Sequence, residues 1–290
     1  LLWAQVSQLR SPKTRGILGG GGELLIARNC HRRLHRTFGG QVAGQALVSA
    51  VNTVGEDYRV HSLHGYFIRP GNPNEPTVYM VERIRDGRSF CTRRVTGIQD
   101  GKAIFTMSAS FHVDDEGISH QDTMPRVVEP ESLPDPRDLP GFDNSFYEEW
   151  KEWDIRKIPD EQTEKHSSLA AQQRVWFRYR DRLPDSQVFH VCTLAYMSDM
   201  TLIGSAKVPH PDVVTQTASL DHALWFLRPF RADEWLLYDQ TSPSADFGRA
   251  LAQGRIFDRQ GRMVAAVVQE GLMRFERDRT RTVTDPFAPK

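Results

Sequence analysis

Two stretches of this chain carry hydrophobic residues at the spacing of an amphipathic helix. In the first, residues 41–54, the apolar stripe consists of Val42, Ala46, Leu47, Ala50 and Val51. In the second, residues 188–203, it consists of Val188, Val191, Cys192, Ala195 and Leu202. Asp199 falls on this second stripe, four residues after Ala195 and three before Leu202. The pattern predicts two helices that each turn one face to a core, the second with a carboxylate on that face.

Such a carboxylate has two explanations. Asp199 lies at a helix end or a partly exposed edge where it reaches water, or it is buried and then paired, protonated or used for chemistry. Burying a carboxylate without partners costs several kcal/mol, so a buried Asp199 needs partners or a function. The stripe alone leaves both explanations open.

Short segments with the pattern of β-strands lie around each predicted helix, mostly after it. They span residues 64–68, 77–84, 89–98 and 103–113 in the first half of the chain, and residues 174–179, 217–227, 234–238, 250–257 and 263–274 in the second half, where the segment 174–179 precedes the helix. Asp86-Gly87 and Asp100-Gly101 are typical of tight hairpin turns. Consecutive hairpins predict an antiparallel sheet rather than alternating β-α-β units.

The two halves also repeat one another. Residues 66–70 (YFIRP) recur as residues 225–229 (WFLRP), and residues 100–105 (DGKAIF) recur as residues 260–265 (QGRMVA). The two offsets, from Tyr66 to Trp225 and from Asp100 to Gln260, are 159 and 160 residues. Two matches in the same order and at nearly the same offset predict the duplication of a unit of roughly 110 residues.

Repeat and composition together divide the chain into five segments. These are a poorly specified leader (1–22), a first unit (23–113), a linker rich in proline and acidic residues (114–172), a second unit (173–275) and a C-terminal tail (276–290). Residues 146–153 of the linker include Trp150 and Trp153. Two bare tryptophans would expose apolar area, so we expect this segment to pack on one of the units.

Charge and cysteine content limit the partners and the compartment. Lysine and arginine together number 37, equal to aspartate and glutamate, so no global field draws the chain to nucleic acid or an anionic membrane. No apolar run approaches the roughly 18 residues of a membrane helix. The three cysteines, Cys30, Cys91 and Cys192, form no C-x-x-C pair. A soluble protein of the reducing cytoplasm is predicted.

Common catalytic signatures are absent from the sequence: there is no G-x-S-x-G elbow, Walker loop, G-x-G-x-x-G after a strand or H-E-x-x-H. His31 and His35 have helical spacing, but the arginines around them disfavour a bound cation, so no metal site is predicted.

Two polar residues stand out in apolar strand segments of the second half, Ser219 and Gln269. Gln269 shares a strand face with Ala265 and Val267, which predicts that it points inward. Taken singly, Ser219 is unremarkable in a strand, and Gln269 could reach water at a strand end. Together with Asp199 they supply a hydroxyl, an amide and a carboxylate, which suffice to orient a water and remove its proton.

Several longer motifs resemble the acyl-CoA thioesterase II family. They are residues 38–45, 61–71, 85–90, 220–230 and 268–271, and the resemblance covers residues from about 30 to 275. It implies an α+β double hotdog fold, in which each of two tandem units wraps an antiparallel sheet around a central helix. It also implies hydrolysis of fatty acyl-CoA to fatty acid and free CoA, with no cofactor or metal. The family's catalytic Asp, Thr or Ser, and Gln fall on Asp199, Ser219 and Gln269.

Residues 41–54 contain no acidic residue, so the first unit is expected to be catalytically silent. In the second, Asp199 would remove a proton from a water held by Ser219 and Gln269, and the water would attack the thioester without a covalent intermediate. The CoA phosphates suggest Arg85, Arg88, Arg93 and Arg94 as ligands at the entrance. Sheet edges and broad faces, with the resemblance, predict a homodimer or homotetramer.

Three alternatives remain at this point. A nucleophilic Ser219 is disfavoured because no histidine base is adjacent and His222 falls on the opposite strand face. A hotdog enoyl-CoA hydratase would carry a histidine five positions after the aspartate, where this chain has Gly204. A non-catalytic acyl-CoA-binding module is the third, and the intact Asp, Ser and Gln set argues against it.

Overall fold

The computed structural model describes residues 23–27, 36–138 and 150–276. The predicted leader, Cys30, His31 and His35 lie outside the described residues, as does the predicted tail after residue 276.

Both halves place one long helix among antiparallel strands. The first half contains β1 (Glu23–Ala27), α1 (Gly39–Val51), β2 (Tyr58–Phe67), β3 (Thr77–Asp86), β4 (Phe90–Gln99) and β5 (Lys102–Val113). The second half contains β6 (Trp153–Lys157), β7 (Gln172–Tyr179), α2 (Gln187–Met197), β8 (Thr215–Ser219), β9 (Asp221–Phe226), β10 (Leu236–Asp246), β11 (Arg249–Asp258) and β12 (Met263–Phe275). The predicted α+β class and its two helices are confirmed.

All twelve strands belong to one antiparallel sheet. Its order is β1-β3-β4-β5-β2-β9-β12-β11-β10-β7-β6, and β8 pairs with β12 beside β9. The two halves meet where β2 pairs with β9, with Ser62 opposite Trp225 and Tyr66 opposite Asp221. Ser62 and Asp221 are 159 residues apart, and so are Tyr66 and Trp225. Replacing each residue by its equivalent in the other half therefore turns one pairing into the other, so a two-fold axis between β2 and β9 relates the two pairings. This register supports the duplication predicted from the repeat.

The core lies where the sheet wraps the two helices. Apolar residues of α1, α2 and most strands form one continuous cluster of buried side chains. Glycines let the helices approach closely, because a Cβ on Gly40 would lie 2.2 Å from the Tyr196 carbonyl oxygen and one on Gly44 would lie 3.3 Å from that of Cys192. The two helices therefore pack on each other as well as on the sheet.

Two of the hairpin turns use left-handed backbone. Between β4 and β5, Asp100 and Gly101 have φ of 46° and 68°, which confirms the hairpin predicted there. Between β10 and β11, Phe247 and Gly248 have φ of 50° and 72°. Positive φ at two successive positions matches the twist of the flanking strands and closes each hairpin in a short turn.

Three predicted strands differ from the observed ones. The segment 64–68 is the end of a longer strand, β2, which begins at Tyr58. The segment 217–227 is two strands, β8 and β9, which break at Leu220, where the Glu270 amide turns from the ladder to donate to the Asp221 carboxylate at 2.6 Å. The segment 234–238 is the start of β10, which continues to Asp246. Pro243 obscured this extension in the sequence, and the structure accommodates it at a register shift between Thr241 and Ser244.

The segment expected as a linker contributes to the second half of the sheet. Within it, β6 pairs with β7 at the sheet edge. Trp150 and Trp153 are both buried, as expected, and Trp153 stacks on Tyr196 of α2 with ring centroids 5.4 Å apart. The segment predicted as a linker therefore includes one strand of the second half, β6, and the first residue of β7. No helix in the described part of the chain is long and apolar enough to cross a membrane.

Candidate active site

Asp199 lies just beyond the helix on which the sequence placed it. The helix α2 ends at Met197, Ser198 caps it, and Asp199 follows in the turn. The prediction of an uninterrupted helix to residue 203 is therefore wrong, because the helix ends at Met197, although the N–H of its C-cap, Ser198, still donates to a helical carbonyl oxygen, that of Leu194. The turn nevertheless points inward, and Asp199 is only 7% exposed. Of the two explanations for its position, the structure excludes a helix end that reaches open water.

Two side chains from different strands hold one oxygen of this carboxylate. Ser219, the last residue of β8, donates its hydroxyl to Asp199 Oδ1 at 3.0 Å. Gln269 of β12 donates its Nε2 to the same Oδ1 at 2.5 Å. Gln269 is fully buried, which confirms that it points inward. The structure thus brings together the three residues that the sequence singled out. Ser219 and Gln269 hydrogen-bond directly to Asp199, whereas the sequence-based prediction had them hold a water molecule.

The other carboxylate oxygen faces the start of α1 in the first half of the chain. A Cβ on Gly39 would lie 2.6 Å from Asp199 Oδ2 and 2.9 Å from the Phe67 ring. Gly39 is the first residue of α1, whose first-turn N–H groups have no acceptor within the helix. A helix N-terminus carries partial positive charge and favours an anion. The site therefore combines residues of the second half with backbone of the first.

A second layer of buried polar groups supports the turn that carries Asp199. The Ser198 hydroxyl lies 2.7 Å from His222 Nε2, and the Tyr238 hydroxyl donates to the Ser198 carbonyl oxygen at 3.0 Å. Burial lowers the pKa of His222, although Asp199 and Asp221 oppose this, so the imidazole stays neutral near pH 7. These contacts were not predicted from the sequence. The motif at residues 220–230 contained His222 but no spacing linked it to Ser198.

His222 bonds to Ser198 and not to Ser219, so the structure supplies no histidine base to the Ser219 hydroxyl among the described residues. Gln269 Oε1 is buried and has no hydrogen-bond partner in the described part of the chain. It lies on the amide whose Nε2 holds Asp199, so an acceptor is available beside the carboxylate. A water molecule or substrate group would satisfy it.

The four arginines predicted to bind CoA phosphates lie on β3, β4 and the hairpin that joins them. Arg93 does not fit the prediction, because its side chain is only 2% exposed. Its guanidinium donates to Thr53 Oγ1, to the Thr53 carbonyl oxygen and to Asp86, which makes it a structural group of the first half. Arg94 is exposed and pairs loosely with Glu82 at 3.9 Å. Arg85 and Arg88 are exposed and remain candidates.

No group of three or more His, Cys, Asp or Glu suited to a metal ion occurs among residues 23–27, 36–138 and 150–276. The site consists of a buried carboxylate that is held by two side-chain donors and faces a helix N-terminus.

Known proteins resemble this chain in sequence. A family model described as "Acyl-CoA thioesterase" matches residues 145–272, and one described as "Acyl-CoA thioesterase N-terminal domain" matches residues 30–112. Acyl-coenzyme A thioesterase 8 of Mus musculus is 39% identical over 83% of this chain and 81% of its own. Acyl-CoA thioesterase 2 of Haemophilus influenzae is 37% identical over 83% of this chain and 88% of its own.

Solved structures with a similar fold support the same family. The crystal structure of an acyl-CoA thioesterase II, TesB2, from Mycobacterium marinum is 54% identical, covers 87% of this chain and 92% of its own, and superposes with a TM-score of 0.77. A hot dog fold protein of unknown function from Alicyclobacillus acidocaldarius is 19% identical, covers 89% of this chain and 95% of its own, and has a TM-score of 0.70, which supports the fold alone. The chain belongs to the acyl-CoA thioesterase II family, with its double hotdog fold and its activity as an acyl-CoA thioester hydrolase.

Proposed function

We propose that Asp199 is the general base of this thioesterase and that it activates a water for direct attack on the acyl-CoA thioester. The observation that carries the proposal is a buried carboxylate with two donors on Oδ1 and its Oδ2 turned to the start of α1. Ser219 and Gln269 fix the carboxylate in one orientation, which leaves Oδ2 to accept a proton.

The reaction balances with these groups alone. The water gives one proton to Asp199 Oδ2 while its oxygen bonds to the thioester carbon, and Gln269 Oε1 accepts a hydrogen bond from its second O–H. The tetrahedral intermediate then collapses with cleavage of the C–S bond. The CoA thiolate leaves and takes up the proton from Asp199, which returns the base to its starting state.

The negative charge that develops on the carbonyl oxygen requires donors. The N–H groups of Gly39 and Gly40 are suited to this role, because they begin α1 beside Asp199 Oδ2. The helix dipole adds partial positive charge at the same point. In this proposal the first half of the chain supplies oxyanion stabilisation to a base from the second half.

We also propose a single hydrolytic site per chain, with residues 23–113 as a non-catalytic unit. Thr53 is the second residue after the end of α1, as Asp199 is the second after the end of α2. Val60 pairs with Phe111 in β5 as Ser219 pairs with Gly271 in β12. Two residues before these partners stand Ala109 and Gln269. The first half thus has Thr53, Val60 and Ala109 in place of the carboxylate, hydroxyl and amide.

A covalent route through Ser219 is the rival, since its hydroxyl also donates to Asp199. Rapid acid quench during turnover of palmitoyl-CoA, followed by intact mass measurement, separates the two routes. Direct water attack predicts unmodified protein at every time point. An acyl adduct on Ser219 that forms and decays at the rate of turnover would overturn the proposal.

We also propose that the protein is cytoplasmic and forms a homodimer or homotetramer. Cys91 and Cys192 are buried free thiols, which suits the reducing cytoplasm. The edge strands β1 and β6 and the broad sheet face suit a homodimer or homotetramer. Light scattering across a dilution series distinguishes these assemblies from a monomer.

A further inference from the structure

A cavity of about 910 Å³ lies where α1 ends and α2 begins, away from the Asp199 cluster. Its apolar wall includes Val48, Val51, Val54, Val188, Val191 and Phe226. Cavities of roughly 300–1,000 Å³ with mostly apolar walls are typical of small-molecule sites. None of the residues assigned to hydrolysis lines it.

The cavity has the same place in the first half as the Asp199 site has in the second. The Asp199 site lies where α2 ends and α1 begins, beside Phe67. The cavity lies where α1 ends and α2 begins, beside Phe226. Phe67 and Phe226 are 159 residues apart, which is the offset of the repeat. The internal two-fold symmetry of the fold therefore relates the cavity to the hydrolytic site.

The cavity lacks the side chains that the proposed mechanism uses at the equivalent positions of the second half. Val60, the equivalent of Ser219, is one of its lining residues. Thr53, the equivalent of Asp199, is buried and accepts hydrogen bonds from Arg93 on both its hydroxyl and carbonyl oxygens. An acyl group in this cavity would meet no carboxylate at the position equivalent to Asp199.

Charged side chains of both signs line the cavity, Arg59 and Arg228 as well as Glu56 and Asp114. Tyr58 lines the cavity and donates its hydroxyl to the carbonyl oxygens of Gly87 at 2.6 Å and Arg88 at 3.2 Å, so the β3–β4 hairpin closes one side. Arg85 and Arg88 on this hairpin are exposed, and no carboxylate among the described residues pairs with either. Guanidinium groups are well suited to phosphates, which they can bind through two N–H donors.

We propose that this cavity binds a second acyl-CoA molecule without hydrolysing it. The alkyl chain lies between α1 and α2, and the CoA phosphates contact Arg85 and Arg88. The ligand class rests on the thioesterase activity, whereas the occupancy of the cavity is independent of the roles given to Asp199, Ser219 and Gln269.

Equilibrium binding of S-hexadecyl-CoA, a thioether that no thioesterase can cleave, tests the proposal. Isothermal titration should give two molecules per wild-type chain. Val51→Trp and Val188→Trp, which fill the cavity from different helices, should each lower the number by one. Ile84→Trp, which introduces the same side chain at an exposed strand position outside the cavity, should leave the number unchanged. An unchanged number in both folded cavity variants would overturn the proposal. Loss of hydrolysis alone would bear only on the catalytic roles.

Further ligands identify which part of the molecule is recognised. Shortening the alkyl chain should weaken cavity binding about fourfold per methylene. Arg85→Glu with Arg88→Glu should weaken S-hexadecyl-CoA at least tenfold and leave palmitate nearly unchanged. If palmitate occupies the cavity and S-hexadecyl-CoA does not, the acyl-CoA assignment is wrong.

Photo-crosslinking locates the ligand without any substitution. A diazirine at the end of the alkyl chain of S-alkyl-CoA should label peptides that contain residues 48–60 or 186–191, in addition to those near Phe67. Labelling confined to peptides around Gly39, Phe67 and Asp199 would contradict a second site.

Discussion

Asp199 Oδ2 lies 2.6 Å from the point where a Cβ of Gly39 would stand, although the two residues belong to different halves of the chain. The contact places a carboxylate from the end of α2 against the positive end of α1. Only glycine leaves room for this approach. In the proposed mechanism, this contact makes the first half of the chain part of the site.

Gly39→Ala tests this relationship. The added methyl group displaces the carboxylate or the Phe67 ring, so we expect kcat for palmitoyl-CoA to fall about 10- to 100-fold. Gly44→Ala is the matched control in the same helix, where the new Cβ meets the Cys192 carbonyl oxygen at 3.3 Å and not the Asp199 site. Equal activity of the two variants, measured by thiol release, would contradict the proposed arrangement.

Ser219→Ala removes one of the two donors to Asp199 Oδ1. Because Gln269 still holds the carboxylate, we expect kcat to fall about tenfold with turnover retained. Ser219→Thr keeps a hydroxyl and should restore most of the activity. A nucleophilic serine predicts instead that Ser219→Ala has no turnover above the uncatalysed rate in the same thiol-release measurement.

The sequence contained enough information for the helices, most strands and the three residues that the structure brings together at Asp199. Gln269 was predicted to point inward because strand alternation is a local pattern. The Asp199 contact with Gly39 has no local signal, because it joins residues 160 positions apart through the packing of two helices. The prediction that Arg93 binds CoA phosphates was wrong for a related reason. Its burial depends on Thr53 and Asp86, whose proximity arises only in the folded sheet.

Arg93 should affect stability rather than substrate binding. Arg93→Ala leaves Thr53 and nearby carbonyl oxygens without their donor, so we expect the free energy of unfolding to fall by about 3 kcal/mol. Arg88→Ala, at an exposed position, should change it by less than about 0.5 kcal/mol. Urea unfolding of both variants provides the comparison. A raised KM with unchanged stability in Arg93→Ala would return this arginine to the phosphate-binding group.

Histidine burial makes stability depend on pH. Burial lowers the pKa of His222 in the folded state, so below about pH 6.5 the unfolded chain binds a proton that the folded chain does not. Stability is therefore fully present above that pH and falls with acidification, by up to about 1.4 kcal/mol per pH unit. Burial acts on His190 in the same direction.

His222→Gln removes this dependence at one position. At pH 8 the variant should be less stable than the wild type, because the contact with Ser198 is altered, and the difference should shrink as the pH falls to 5. Urea unfolding at several pH values measures both curves. A difference that stays constant or grows on acidification would show that His222 is not held neutral by burial.

The most direct measurement of the central claim is free thiol release from palmitoyl-CoA by Asp199→Asn. The amide keeps the size of the carboxylate and can still accept from Ser219 and Gln269, but it cannot take a proton from water. With the fold verified by circular dichroism, we expect kcat to fall at least about 100-fold. Thiol release at the wild-type rate would contradict the assignment of Asp199 as the base that activates water.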